Sequence, residues 1–435
     1  MRKILLVLIV LSFGQICPAT PPVERLSLPT AIEYAEKNNA DFQSSKIDVN
    51  IAKNNVKSAN QLRNPEINTF FNFGKAGHGN PQQIGVSETI EIAKRGARKK
   101  LAKSNLELTK NNVEYNRFNL KMDVREAYID LVTAKSILNS LESQQKLLEE
   151  LVVIAKKRVA AGAAPEMDVI QAEIALNQMV TQVNTAKVNV KSAMYDFNKV
   201  LNPNNPSDIK YDSIDDEFTN KNNFIGLLTP SPKEQLPSFE SISQNSLNNR
   251  FDLKIAKQQV DVAQKNLVVV ARQRVPDLEV GGGYAFQNKH LSEDGTYKNG
   301  AYLGVNLTNI PVFYSYRPEI KNAKLEVEKA DLNYISTRNK ALNDLNSAYE
   351  KFVTAKLNLN YYNDKLLKSS DEMIKISKRS YEVGKSNLTT LIVMEQSYRS
   401  IIVGYTYALS EYYNCWIDFL REVNTEEFRL NDESV

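Results

Sequence analysis

Apolar residues recur along this chain at spacings of three, four and seven. Phe42, Val49, Ala52, Val56 and Ala59 form one such row, and Leu253, Val260, Ala263, Leu267 and Val270 form another. A row of period 3.5 is a narrow seam on a helix, the pattern by which helices pack side by side. A longer seam runs Leu120, Val124, Ala127, Leu131, Ala134, Leu138, Leu141, Leu148, Val152 and Ala155. Its counterpart runs Ala341, Leu345, Ala348, Phe352, Ala355, Leu359, Tyr362, Leu366, Met373 and Ile376. The helix carrying the first can extend over 97–161 without a proline. At 1.5 Å per residue that is roughly 100 Å, several times the length of a globular helix. A helix so long, apolar along one stripe only, must lie beside other helices. The residues between seam positions are Lys, Glu, Asn, Gln and Ser, a solvated face that suits an outer surface and a water-filled lumen alike.

The seams belong to an internal repeat. Asp41, Ala52 and Pro65 recur 211 residues on as Asp252, Ala263 and Pro276. Ala127-Tyr128 and Thr133-Ala134-Lys135 recur 221 residues on as Ala348-Tyr349 and Thr354-Ala355-Lys356, and Gly162 and Gly384 stand 222 apart. Two similar halves therefore follow one another, over 20–201 and 239–421. The segment 202–238, rich in Asn, Asp and Pro, links them, and 422–435 is a tail.

Between the long helices of each half the period changes from 3.5 to 2. Strands are predicted over 66–74 and 82–92 in the first half and over 278–287 and 301–310 in the second. Leu278, Val280, Gly282, Tyr284 and Phe286 alternate with Glu279, Gly281, Gly283, Ala285 and Gln287. Alternation puts apolar side chains on one face and polar or small ones on the other. Nine to eleven residues is the span a tilted strand needs to cross a bilayer. Four strands cannot close a barrel, and an open edge in lipid leaves backbone groups unpaired. Copies must then share one barrel, with eight strands from two protomers or twelve from three.

The first residues explain how such strands would reach a membrane. Arg2 and Lys3 precede an apolar stretch over 4–16, and Cys17-Pro18-Ala19 offers a cleavage site, so 1–19 reads as a signal peptide. A lipid anchor on Cys17 is the rival reading, although Ile16 stands where a lipobox has a small residue. Cleavage after Cys17 leaves Cys415 alone, and packing and assembly must do the work of disulfides. No run of about 18 apolar residues follows, so no transmembrane helix is expected.

Composition changes the picture little. The 435 residues carry 55 Lys and Arg against 51 Asp and Glu, a net charge of +4 that is too mild to imply nucleic-acid binding. No phosphate loop, paired-cysteine motif or His-containing catalytic set is visible, so neither an enzyme nor a cofactor is expected. The two histidines, His78 and His290, fall in the two strand-connecting loops with no ligand spacing around them, so no metal site is expected.

Two basic or aromatic stretches follow the strands, Lys94-Arg95-Gly96-Ala97-Arg98 and Phe313-Tyr314-Ser315-Tyr316-Arg317. Positive charge at a helix start opposes the macrodipole and needs compensation. Anionic headgroups at a membrane interface would supply it for Arg95, Arg98 and Arg317, at the depth Tyr314 and Tyr316 favour; an ordinary exposed helix start is the other reading. The sharpest motifs lie at two helix–turn–helix tips, Arg158-Val159-Ala160-Ala161-Gly162-Ala163-Ala164-Pro165-Glu166-Met167-Asp168-Val169 and Ser380-Tyr381-Glu382-Val383-Gly384-Lys385-Ser386-Asn387-Leu388. Gly162 and Gly384 suit a left-handed helix end, Pro165 the first turn of the next helix, and Glu166 and Asp168 its positive end.

Together these features resemble the TolC-like outer-membrane efflux family over nearly the whole mature chain. The resemblance implies a fold that is mainly α with a small membrane β-barrel part. It implies a homotrimer with a 12-stranded barrel in the outer membrane and a 12-helix tunnel in the periplasm of a Gram-negative-type bacterium. The linker and tail would lie at the tunnel's equator. It further implies that the tips, through Arg158, Gly162, Pro165, Asp168, Tyr381, Gly384 and Leu388, dock onto a periplasmic membrane-fusion adaptor. An inner-membrane pump of the RND or ABC type would supply the energy. Asp168, Thr390 and Val393 stand at the positions of the periplasmic constriction. Val159 replaces the usual aromatic, Ser380 the usual Arg, and Thr390 and Val393 an acidic ring, which makes the entrance less acidic. The segment Ser87-Glu88-Thr89-Ile90-Glu91-Ile92-Ala93 with Lys94-Arg95-Gly96-Ala97-Arg98 resembles that of cobalt–zinc–cadmium efflux ducts, which points to heavy-metal cargo. The expectation is a passive exit duct for small toxic solutes. A type I secretion duct and a secreted coiled-coil scaffold are the alternatives, and the scaffold leaves the alternating strands unexplained.

Overall fold

The structure is a computed structural model that describes residues 23–71, 82–202, 211–218, 239–286 and 299–426. The expectations for the leader over 1–19, for Cys17, for His78 and His290 in their loops, and for 427–435 lie outside the described residues. Helices α1 (Leu28–Asn38) and α2 (Ala40–Ala59) lead to strands β2 (Glu66–Phe70) and β3 (Gln82–Ile90), then to α3 (Lys94–Ala160) and α4 (Glu166–Leu201). The second half repeats the order with α5 (Phe239–Asn249), α6 (Phe251–Ala271), β5 (Asp277–Phe286), β6 (Gly300–Thr308), α7 (Arg317–Tyr361), α8 (Leu367–Glu382) and α9 (Leu388–Val423). Two three-residue strands, β1 (Glu24–Leu26) and β4 (Tyr211–Ser213), pair in parallel.

The α3 helix has 67 residues, about 100 Å, and is unbroken because it holds no proline and its single glycine, Gly96, sits in the first turn. Its seam buries Leu120, Val124, Leu131, Leu141, Leu148, Val152 and Ala155. Opposite them α4 supplies Ala172, Ala175, Met179, Val183 and Ala186, and the three alanines let the two helices approach closely. Higher up, a second core gathers Phe352, Tyr412, Trp416 and Phe419 with Tyr128 and Phe197 around the midpoint of the helices. Here the linker is anchored: Asn198 Nδ2 donates to the Tyr211 carbonyl at 2.7 Å, and Lys135 Nζ meets Asp212 at 2.7 Å and Asp216 at 3.0 Å.

The second long helix differs from the first. A π-helical turn, Tyr362–Leu366, separates α7 from α8. Above it the seam runs through Ala341, Leu345, Ala348, Phe352, Ala355 and Leu359, all buried. Below it the expected Met373 and Ile376 do not hold the seam. Ile376 is 65% exposed, while Ser370 is 2% exposed and Ile374 packs on the core. One residue gained in a π turn advances the helix face by one position, which carries the buried stripe off the 3.5-residue row.

The four longer strands form one antiparallel sheet in the order β2-β3-β5-β6. Cross-strand partners share a face. One face carries Ile67, Ile84, Val86, Ile90, Leu278, Val280, Tyr284, Leu303, Val305 and Leu307, and the other Asn68, Ser87, Gly85, Gly281, Gly283, Thr89, Glu279 and Asn306. The apolar face is the exposed one: Leu303 is 90% and Val305 67% accessible, whereas Gly85 and Ser87 are buried. Gly283 is required, since a Cβ there would fall 2.2 Å from the Ile84 carbonyl oxygen. No helix among the described residues is long and apolar enough to cross a membrane.

Candidate functional site

The two tips close the end of the hairpins away from the sheet. At the first, Ala163 N donates to the Arg158 carbonyl at 2.8 Å and Gly162 N to the Val159 carbonyl at 2.9 Å. At the second, Lys385 N donates to the Ser380 carbonyl at 2.8 Å and Gly384 N to the Tyr381 carbonyl at 3.0 Å. These are paired Schellman caps, and they need Gly162 at φ 70° and Gly384 at φ 75°. Pro165 serves as the N-cap of α4 rather than as a residue of its first turn, which begins at Glu166. Asn387 caps α9, accepting from Thr390 N at 2.8 Å and from Thr390 Oγ1 at 2.7 Å.

A cross-hairpin latch joins the tips. The Tyr381 hydroxyl donates to Asp168 Oδ2 at 3.5 Å. Arg158 Nη1 donates to the Tyr381 carbonyl, Nη2 donates to the Ala163 carbonyl at 3.3 Å, and the guanidinium lies 4.5 Å from the Tyr381 ring centre. Burial and the neighbouring Asp168 charge push the Tyr381 pKa up, against the opposing pull of Arg158, so the phenol stays a neutral donor. Thr389 Oγ1 donates to Gln171 Oε1 at 3.1 Å and Lys378 pairs with Glu150 at 3.2 Å, two further links between the hairpins.

Leu388 and Tyr381 are 0% and 1% exposed, so they shape the tip from inside. Thr390 gives its hydroxyl to the α9 cap, and of the constriction candidates Thr390 and Val393 are exposed and Asp168 is half-buried. Behind the latch lies a small apolar pocket of about 20 Å³, lined among others by Leu151, Ile374, Tyr381, Leu391 and Glu395. Glu395 was not singled out from the sequence. It is 1% exposed, its Oε1 has no hydrogen-bond partner, and its Oε2 lies 3.7 Å from Arg399. Burial raises its pKa, with Arg399 pulling the other way. The available signal was spacing: Leu388, Leu391 and Glu395 place an acid on an apolar seam.

At the other end of the helices, charges knit the sheet to the tunnel. Lys94 Nζ lies 2.7 Å from Asp277 Oδ2, both side chains buried, and Asn309 Nδ2 donates to the same oxygen at 2.8 Å. Arg98 pairs with Glu91 at 2.8 Å and donates to the Ala59 carbonyl at 3.3 Å, while Arg95 donates to the Asn60 carbonyl at 2.8 Å. Compensation for the basic start of α3 therefore comes within the protomer from Glu91, Asp277 and the C-terminal carbonyls of α2. Tyr314 donates to Glu319, and Tyr314 and Tyr316 stack edge-on at 5.1 Å beside the fully exposed Phe313. Arg317 begins α7. Among the described residues no group of His, Cys, Asp and Glu could hold a metal ion.

An antiparallel sheet with its apolar face outward, continued by helices of about 100 Å whose far ends are joined by the contacts of Tyr381 with Arg158 and Asp168, is the build of an outer-membrane duct protomer. The sequence matches the family described as outer membrane efflux protein over residues 31–202 and 242–399, and the chain belongs to that family. Toxin and drug export protein A of Aggregatibacter actinomycetemcomitans is 23% identical over 342 residues, which span 76% of this chain and 71% of that protein. Outer membrane efflux protein BepC of Brucella suis biovar 1 is likewise 23% identical, over 76% of this chain and 70% of its own length. The fold matches the Campylobacter jejuni CmeC outer membrane channel with a TM-score of 0.72 at 19% identity, covering 93% of this chain and 87% of that one. The protein is the outer-membrane channel component of an efflux pump and reaches into the periplasm.

Proposed function

We propose that three protomers close one twelve-stranded barrel, that their helices form a twelve-helix periplasmic tunnel, and that the assembly is a passive exit duct for small toxic solutes that catalyses no reaction. The observation that carries this reading is the sheet. Its apolar face is exposed, and among the described residues its two outer strands, β2 and β6, have ladder partners on one side only. In hydrocarbon each unpaired backbone group costs several kcal/mol, so β6 of one protomer pairs with β2 of the next. Three copies of four strands give twelve, an even number within the range of such barrels.

The tips meet a membrane-fusion adaptor, and an inner-membrane pump of the RND or ABC type drives transport. Support comes from the exposed caps on either side of the latch and from the polar faces of the hairpins. Cargo is the open end of the proposal. The segment 94–98 that suggests heavy-metal efflux is occupied in holding sheet to tunnel, a task independent of cargo, so small organic toxicants are the favoured substrates. Growth of a deletion strain across cobalt, zinc, cadmium, copper, detergents and dyes tests this. Sensitivity to detergents and dyes is expected, and sensitivity confined to the metals overturns the assignment of cargo.

A further inference from the structure

The two halves keep different registers above and below the π turn. Above it, buried positions of the second half lie 221 residues from their counterparts in the first: Leu345 answers Val124, Phe352 answers Leu131 and Leu359 answers the partly buried Leu138. Below it they lie 222 residues away: the buried Ser370 answers Leu148 and the partly buried Ile374 answers Val152, and Tyr381 stands in the same register with the half-exposed Val159. The extra residue is housed in Tyr362–Leu366. There the Tyr362 ring rests on α9 at Gly404, where a Cβ would fall 2.6 Å from the Tyr362 hydroxyl.

An α-helix turns about 100° per residue, so α8 has a second stripe available. Met373 and Ile376 continue the upper seam as if no residue had been gained, yet Ile376 stands 65% exposed. The stripe in use is the less apolar of the two. It buries Ser370, whose hydroxyl donates to the Leu367 carbonyl at 2.8 Å. One helix thus offers two stripes to the seam, of which the less apolar is packed, and a choice between stripes is the condition for a switch between discrete states. The first hairpin has no such choice, because α3 runs unbroken to its tip.

We propose that the π turn is a one-residue ratchet that sets the latch, an inference that rests on reading the tips as the closed mouth of a duct. With the bulge at Tyr362–Leu366, α8 turns Tyr381 toward Arg158 and Asp168 and the mouth is shut. When the extra residue passes along α8 to the turn before Asn387, the helix rotates by about 100° and slides by about 1.5 Å. Met373 and Ile376 then enter the seam and Tyr381 leaves both of its partners. Gly404 gives the bulge its seat and so favours the shut state.

Thiol labelling of the full-length protein, with Cys415 replaced by Ser, tests the ratchet. Ile374→Cys and Ile376→Cys are each treated with a polar maleimide. In the parent chain position 376 labels about tenfold faster than position 374, the contrast expected between an open and a packed site. Deletion of Asn363 removes the extra residue and inverts that order, and single-channel conductance in planar bilayers rises severalfold. Gly404→Ala leaves the chain length unchanged, crowds Tyr362 and shifts the labelling ratio in the same direction by about threefold. A labelling order unchanged in both variants overturns the proposal, as does an inverted order with conductance at the parental level. If neither parent nor variant conducts, the duct reading fails, and the labelling ratio still decides whether the bulge sets the register.

Discussion

The two hairpins descend from one sequence pattern and reach the same tip geometry by different means. The first pairs an unbroken α3 with an alanine-lined α4, a strut whose seam stays in one register from end to end although it also buries Gln144. The second breaks at Tyr362–Leu366, buries Ser370 and Glu395 in its seam, and hangs its last turn on the latch to Arg158 and Asp168. A duplicated element has thus diverged into a rigid half and an adjustable half. An unbroken helix permits one register, whereas a helix with an inserted residue permits two. The difference lies in a few residues, and substitutions can therefore break it or sharpen it.

The largest effect is expected in the strut. Leu148→Ala opens a cavity in the α3–α4 seam and should cost about 2–5 kcal/mol in thermal unfolding. Ile376→Ala, on the row that the 3.5-residue period extends into α8, should stay within about 0.5 kcal/mol, the range of surface changes. Equal losses at the two positions would show that α8 packs on the other stripe. Next comes the latch. Tyr381→Phe keeps the ring under Arg158 and removes the hydrogen bond to Asp168, a loss of about 0.5–1.5 kcal/mol, read as a rise in channel conductance with the trimer intact. Gly162→Ala and Gly384→Ala each place a side chain at positive φ and should cost about 1 kcal/mol alike, since the caps are the part the hairpins share.

The smallest effect is one of pH. Glu395 has its pKa raised by burial above the ordinary 4.5, so the folded chain holds that proton to higher pH than the unfolded chain does. Stability then falls as pH rises from about 4.5 through the raised value. Asp123, Glu126 and Asp130, whose pKa values burial also raises, act in the same direction. Glu395→Gln should therefore flatten the decline in melting temperature between pH 5 and pH 8 without abolishing it. An unaltered slope would remove Glu395 from the account.

Much of this was legible in the residues themselves. Period-3.5 seams, period-2 strands and the tip glycines are short-range patterns, and each dictates a local shape whatever surrounds it. The change of offset from 221 to 222 between halves was the trace of the π turn, since an extra residue inside a helix must be housed somewhere. Its consequence for Ile376 could not be read, because the bulge leaves the row of apolar residues intact while turning it away. The strands β1 and β4 have three residues each, too few to show a period, and are held by Asn198 and Lys135 from distant helices. The partners of Arg95 and Arg98, Glu91 and the end of α2, could not be read because they come together only in the fold.

The central claim is that copies of this chain join into one membrane-spanning duct, closed at its periplasmic end by the latch. Single-channel recording on the full-length protein, extracted in detergent and inserted into planar bilayers, tests it most directly. The account predicts a trimer in detergent with a small, steady conductance that rises severalfold in Tyr381→Phe. A protein that stays monomeric and dispersed without detergent, or one that leaves the bilayer sealed in both forms, would contradict it.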